Sequence, residues 1–240
     1  MDGGKKRREG KARTQGSMTK PKLTLFDLDH TLLSGDSDVL WCDFLIQRGL
    51  LDAASFTAQN ADMEQRYKQG TVGIEEFANF YVGTLRGQNT AFWEPVRQDF
   101  LNTRIIPNIP QSALDLVQQH RSSGDLMVLT TATNRYITEL TAAYLGFKHL
   151  IATETELVEG TFTGRTSGTL NMRQGKVQRL TAWLAARGEK LEAFDTTAYS
   201  DSINDLPLLQ MANRAVAVDP DARLRAQAVS NGWQTLHLVR

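Results

Sequence analysis

KLTLFDLDHT, residues 22–31, begins as a short apolar run and ends on two carboxylates, Asp27 and Asp29. The run over 22–27 reads as a strand, and a strand that ends in acids rather than in a turn signal carries chemistry at its carboxyl end. The same pattern recurs downstream. LMVLTT (126–131) is a buried strand of the parallel-sheet kind that closes on Thr131. TTAYS (196–200) is a strand followed by Asp201 and Asp205. From residue 110 onward strands and helices alternate. Helices are expected at 110–123, 134–145, 174–187, 203–211 and 221–231, with further strands at 149–153, 214–218 and 234–239 and a hairpin over 155–164 turning at Glu159-Gly160. Alternation of this kind implies right-handed crossovers and a parallel sheet. Ligands then bind beyond the carboxyl ends of the strands, near the switch point of the sheet.

Between the first two strands the pattern is helical throughout. Val39, Leu40, Cys42, Phe44, Leu45 and Ile46 crowd one face of a helix over 37–50. Asp52 can cap a second helix running to about Gly70, and 73–86 and 90–104 fit two more. The segment 37–105 is therefore expected to be an all-helical insertion into the α/β domain formed by residues 21–36 and 106–240.

Apolar residues make up 41% of the 240 and charged residues 22%, which excludes a mostly disordered chain. No apolar run reaches the roughly 18 residues that would suggest a membrane span. A lone cysteine, Cys42, cannot form an internal disulfide and fits a reducing, cytoplasmic setting. The 27 basic and 27 acidic residues balance, so whole-chain charge gives no reason to expect nucleic acid. The balance hides an asymmetry, because residues 1–17 carry a net +4 and the remainder a net −4. Residues 1–20 are expected to be a disordered basic tail, lacking both helical periodicity and the apolar run of a signal peptide.

The loaded residues lie at one sheet edge. Asp27 and Asp29, two positions apart, can face one pocket if the chain curls, with Thr31 bonding back into the loop. One carboxylate can serve as nucleophile while the other handles a proton. Neighbouring carboxylates repel, so a cation is expected near them. An oxygen-only set built on Asp27, Asp201 and a nearby carbonyl suits Mg²⁺. None of the histidines at 30, 120, 149 and 237 forms a zinc-type pair. Thr131-Ala132-Thr133-Asn134 brings hydroxyls and amides to a helix N-terminus, which suits an anion and equally suits a simple N-cap. Lys176, at the opening of a helix, could balance the charge of phosphate and carboxylates.

The chain resembles the haloacid dehalogenase superfamily, in particular its phosphoserine-phosphatase-like branch. DxDxT matches Asp27, Asp29 and Thr31. A hydrophobic strand ending in a hydroxyl matches Val128, Leu129 and Thr131. A helix-opening lysine matches Lys176. The acidic motif matches Ser200, Asp201 and Asp205 within YSDSINDLPLL. The resemblance covers about residues 22–240. It implies a three-layer, Rossmann-like α/β fold with a small helical cap, and Mg²⁺-dependent hydrolysis of a small phosphomonoester through an aspartyl-phosphate. Asp27 would be the nucleophile, Asp29 the acid and base, Thr131 and the Ala132 amide the phosphate holders, and Lys176 the charge balance. Asp27, the Asp29 carbonyl and Asp201 would hold the metal, with Asp205 supporting the metal site and Asn204 lining the pocket.

An acid at position 29 argues for phosphate transfer over carbon–halogen cleavage, since a leaving alkoxide needs a proton and a halide does not. Two departures from the branch matter. Ala132-Thr133 stands where small Gly-Gly residues are usual, and Asp36 replaces the glutamate found nine positions after the nucleophile. The substrate is accordingly left open among phosphoserine, histidinol phosphate and other amino-alcohol or sugar phosphates. Asp36 or Asp38 could receive an amine, and Arg66 or Arg86 a carboxylate. A phosphotransferase or mutase, or a non-catalytic binding module, are the competing readings. Oligomeric state is not legible.

Overall fold

The computed structural model describes residues 20–69 and 71–238, so the expected tail lies outside the described residues except for Lys20. Seven strands form one sheet in the order β4-β3-β2-β1-β5-β6-β7. They are β1 (Lys22–Phe26), β2 (Leu126–Asn134), β3 (Leu150–Val158), β4 (Thr161–Ser167), β5 (Asp195–Ser200), β6 (Arg214–Val218) and β7 (Gln234–Leu236). Every pairing is parallel except β3 with β4. The architecture is α/β, as expected.

Strand β1 sits at the centre because both its faces are apolar. Leu23 and Leu25 enter one buried cluster with Val128, Ile151, Leu180, Ala198 and Leu208. Phe26 enters the other, stacked on Tyr199 at 4.8 Å. Successive side chains alternate across a strand, which is how five residues serve two cores. Five helices cover the sheet as crossovers: α5 (Gln111–Ser122), α6 (Arg135–Tyr144), α7 (Gln174–Ala186), α8 (Leu206–Met211) and α9 (Ala222–Asn231).

Four more helices lie between β1 and α5, namely α1 (Ser37–Gln47), α2 (Ala53–Lys68), α3 (Ile74–Val82) and α4 (Thr90–Phe100), the last continuing as a π-helical turn, Leu101–Ile105. Trp41 anchors them, meeting Phe44, Trp93 and Phe100 with ring centroids 5.1–6.0 Å apart. These rings belong to the same buried cluster as Phe26, Leu129 and Tyr199 of the sheet. The helical segment thus shares a core with one face of the sheet.

Two elements differ from the sequence reading. The strand expected at 149–153 and the hairpin expected over 155–164 are one arrangement. β3 runs unbroken to Val158, pairing with β2 in its first half and with β4 in its second. β2 also extends past Thr131 to Asn134 through a register shift between those residues. The shift is an irregularity of the kind that re-aims side chains beside active sites.

Candidate active site

The carboxyl ends of β1, β2 and β5 and the opening of α7 meet at a cavity of about 260 Å³. Asp27, Asp29, Ala132, Thr133, Lys176, Asp201, Asn204 and Asp205 all line it. Asp27 directly follows β1, and its amide donates to the Tyr199 carbonyl, tying the loop to β5 at 3.0 Å. The chain then curls tightly, with the amides of Thr31, Leu32 and Leu33 all pointing back to the Leu28 carbonyl. That curl turns Thr31 inward. Its hydroxyl lies 3.1 Å from Asp27 Oδ2 and 3.3 Å from Asp201 Oδ1, and it accepts from the Asp201 amide at 3.1 Å. One buried threonine therefore joins the first loop to the loop after β5.

Lys176 is fully enclosed. Its Nζ donates to Asp27 Oδ1 at 2.7 Å and to Asp205 Oδ2 at 2.6 Å. Burial works against the ammonium, and Asp205 and Asp27 outweigh it, holding the lysine charged above its ordinary range. Local backbone places it there. Gly175 packs so closely that a Cβ would collide with the Leu170 carbonyl oxygen. Nearby, Asn171 donates from Nδ2 to Thr130 Oγ1, the Thr131 carbonyl and the Ile151 carbonyl, pinning this loop to β2 and β3.

Asp29 sits in a different environment. Its Oδ1 accepts from the Ser37 amide at 2.8 Å, and its Oδ2 accepts from Thr133 Oγ1 at 2.9 Å and from Thr131 Oγ1 at 3.4 Å. Burial and the nearby Asp36 push its pKa up to about 6, against the pull of Ser37 and Thr133. A group that titrates there can both give and take a proton near neutrality. Asp27 is pushed up to about 7, by burial first and then by Asp205 and Asp29, with Lys176 opposing. Asp201 rises to about 8 through burial, Asp27 and Asp205.

That mutual repulsion is what a bound cation would relieve. Asp27 Oδ2 and Asp201 Oδ1 share Thr31 as neighbour, and the donors are oxygens throughout, which fits Mg²⁺. Among the described residues no group of three or more His, Cys, Asp or Glu side chains is placed to hold a metal ion by itself. Mg²⁺ does not require one, since it keeps several waters and commonly bridges to phosphate. Asp205 turns its Oδ2 to Lys176 and to Ser200 Oγ, 2.8 Å away, which engages that oxygen with the lysine. The Asp29 carboxylate is likewise taken up by Ser37, Thr131 and Thr133, which leaves its main-chain carbonyl for a metal.

The acidic residues at the start of α1 also line the cavity. Asp36 is the helix N-cap, its Oδ1 accepting from the amides of Asp38 at 2.9 Å and Val39 at 3.0 Å. Facing them from α3 are Phe77, Ala78 and Tyr81. The structure does not bring Arg66 to the cavity. Its guanidinium pairs with Glu76 at 2.9 Å and Asp62 at 3.6 Å. Arg86 donates to the Thr163 carbonyl instead.

Ser37, Phe77, Tyr81 and Met172 were not singled out from the sequence as site residues. The i, i+4 spacing of Phe77 and Tyr81 on a helix next to the acidic loop was the available signal.

Comparison with known proteins gives the family and the fold. Residues 24–210 match the profile of the haloacid dehalogenase-like hydrolases. A histidinol-phosphatase of Neisseria meningitidis is 38% identical over 217 residues, covering 90% of this chain and 98% of that protein. Phosphoserine phosphatase SerB1 of Mycobacterium tuberculosis is 30% identical over 227 residues, covering 91% of this chain and 73% of that protein. Among solved structures, a protein of unknown function from Bordetella pertussis Tohama I superposes with a TM-score of 0.88 at 41% identity, covering 91% of this chain and 99% of its own. A substrate-bound phosphoserine phosphatase superposes with a TM-score of 0.64 at 18% identity over 91% of this chain and 94% of its own, a likeness of fold.

Proposed function

The chain belongs to the haloacid dehalogenase-like hydrolase family, and we propose that it is a Mg²⁺-dependent phosphatase acting on a small amino-alcohol phosphate of the histidinol-phosphate type. One observation carries the choice of substrate. Among the described residues lining the cavity, the lone lysine or arginine is Lys176, and both Asp27 and Asp205 engage it. The outer cavity offers carboxylates at Asp36 and Asp38 and an aromatic wall at Phe77 and Tyr81. A cationic amine and a flat ring suit that lining. The free carboxylate of phosphoserine would meet like charge. The name of the Neisseria relative points the same way.

The reaction follows from the placement of the side chains. Asp27, held by Lys176 and Thr31, attacks phosphorus and forms an aspartyl-phosphate. Asp29 gives its proton to the leaving alkoxide. It then takes a proton from the water that attacks the acyl-phosphate, regenerating Asp27 and releasing phosphate. Ala132, which lines the cavity, offers its amide to the phosphate oxygens, with Thr131 buried directly behind it and bonded to the Asp29 carboxylate. Asp27, the Asp29 carbonyl and Asp201 would hold Mg²⁺, which supplies positive charge against the phosphoryl oxygens when bound. Asn204 lines the wall beside Asp205. Residues 37–105 act as the cap that excludes bulk water and selects the alcohol.

The test is a comparison of kcat/KM for histidinol phosphate and phosphoserine with purified protein and Mg²⁺. Preference for histidinol phosphate by tenfold or more is the expected result. Preference for phosphoserine would overturn the substrate assignment.

A further inference from the structure

Two aspartates open α1, and they are not equivalent. Asp36 spends its Oδ1 on the amides of Asp38 and Val39, the ordinary work of an N-cap. Asp38 has no such duty. Its Oδ2 lies 3.3 Å from Thr133 Oγ1, and that hydroxyl lies closer to Asp29, at 2.9 Å. Its Oδ1 is buried with no hydrogen-bond donor at all. Buried polar atoms are nearly always paired, and an orphan in a native fold calls for a partner from outside the chain. Asp38 lines the cavity together with Asp29, Asp36, Phe77, Ala78 and Tyr81.

We propose that Asp38 is the residue that selects for a substrate amine, its carboxylate, which lines the cavity and has an oxygen with no donor from the chain, turning to receive the ammonium group while Asp36 serves mainly to cap α1. The inference rests on the amino-alcohol phosphate reading above and deepens it by naming the specificity residue. A donor with positive charge satisfies both needs of this oxygen, its missing hydrogen bond and its uncompensated charge. Phe77 and Tyr81 line the same space, and aromatic rings beside a carboxylate suit a cation. Burial, with Asp36 and Asp29 close by, holds the Asp38 carboxyl well above the usual carboxylate range, as expected of a group whose counter-charge arrives with the ligand. Thr133 then links the two ends of the substrate site, touching both the carboxylate that meets the amine and the carboxylate that protonates the leaving oxygen.

The experiment compares histidinol phosphate with its des-amino analogue in wild-type protein, Asp38→Asn, Asp38→Ser and Asp36→Asn, with thermal melts of each. Wild-type protein should favour the amine-bearing ester. Asp38→Asn and Asp38→Ser should lose that preference, with kcat/KM for histidinol phosphate falling on the order of 10- to 100-fold while the des-amino ester changes less than about threefold. Both variants should melt close to wild type, so that a lost preference is not a lost fold. Equal losses on the two esters, or a preference that collapses in Asp36→Asn and survives in the Asp38 variants, would overturn the assignment of Asp38. Wild-type protein that does not distinguish the two esters would instead overturn the amine reading itself, and the assignment of Asp38 with it.

Discussion

The main-chain amide of Ser37 donates to Asp29 Oδ1 at 2.8 Å, so the first residue of α1 holds the proposed acid and base of the reaction. The opposite carboxylate oxygen is held by Thr133, whose position depends on the register shift in β2. The start of the helical insertion and strand β2 thus fix one carboxylate. Its pKa is set by the contest between burial and these donors.

Thr133→Val tests that contest. Losing a hydrogen bond to the charged form raises the Asp29 pKa further above about 6. The first chemical step needs Asp29 protonated, so the alkaline limb of the pH–rate profile should move to higher pH. Rates with poor leaving groups should change severalfold, in line with about 1 kcal/mol for one hydrogen bond. An unmoved limb on both alkyl and aryl phosphates would dissociate Thr133 from Asp29.

Metal and pH act together on stability. Asp27 and Asp201 rise from 3.8 to about 7 and about 8 in the folded protein. The metal-free fold therefore binds more protons than the unfolded chain between those limits, and its stability falls as pH rises from about 4 through about 8. Mg²⁺ relieves the same repulsion. The rise in Tm on adding Mg²⁺ to chelator-treated protein should be larger at pH 8 than at pH 5. A shift equal at both values would contradict binding at Asp27 and Asp201.

Lys176→Met removes the cation that sits between two buried carboxylates. Stability should fall by about 3–5 kcal/mol, because Asp27 and Asp205 are left without their counter-charge. Adding Asp205→Asn should restore part of the loss, a coupling that denaturant melts of the two single variants and the double variant would measure. Strictly additive effects would contradict the pairing.

Gly175→Ala should act through position alone. The new Cβ meets the Leu170 carbonyl oxygen, so the first turn of α7, which carries Lys176, must shift against the preceding loop. A cost of about 1–3 kcal/mol in stability, as for overpacking, is expected together with a fall in kcat. A fully active, fully stable variant would show that the close approach is not required.

Much of the arrangement was legible because chemistry and periodicity coincide. The strands at Leu23–Phe26 and Leu126–Thr131 are apolar on both faces, and each ends on a residue that cannot be buried without partners. Asp27, Thr131, Lys176, Asp201 and Asp205 could therefore be placed at one edge from strand order alone. What was not legible depends on contacts between distant segments. β3 changes partner near Glu154 with no glycine or proline to mark it, so one strand read as a strand and a separate hairpin. The curl that brings Ser37 to Asp29, and the register shift that brings Thr133 there, have no local signature. Arg66 looked available for a substrate carboxylate, but the packing of α2 against α3 gives it Glu76. Asp205, expected to support the metal site, does so by pairing with the buried Lys176.

The central claim is that Asp27 becomes phosphorylated, and the direct measurement is a rapid acid quench of Mg²⁺-loaded protein turning over a ³²P-labelled ester. Borohydride reduction of the trapped acyl-phosphate and peptide mapping then locate the modified residue. Label that is lost in hydroxylamine and a modification mapped to Asp27 are the expected result. Asp27→Asn should carry no label and retain less than about a tenth of wild-type activity, the ~1.4 kcal/mol that a decade in rate represents. Label on any other residue, or undiminished turnover by Asp27→Asn, would contradict it.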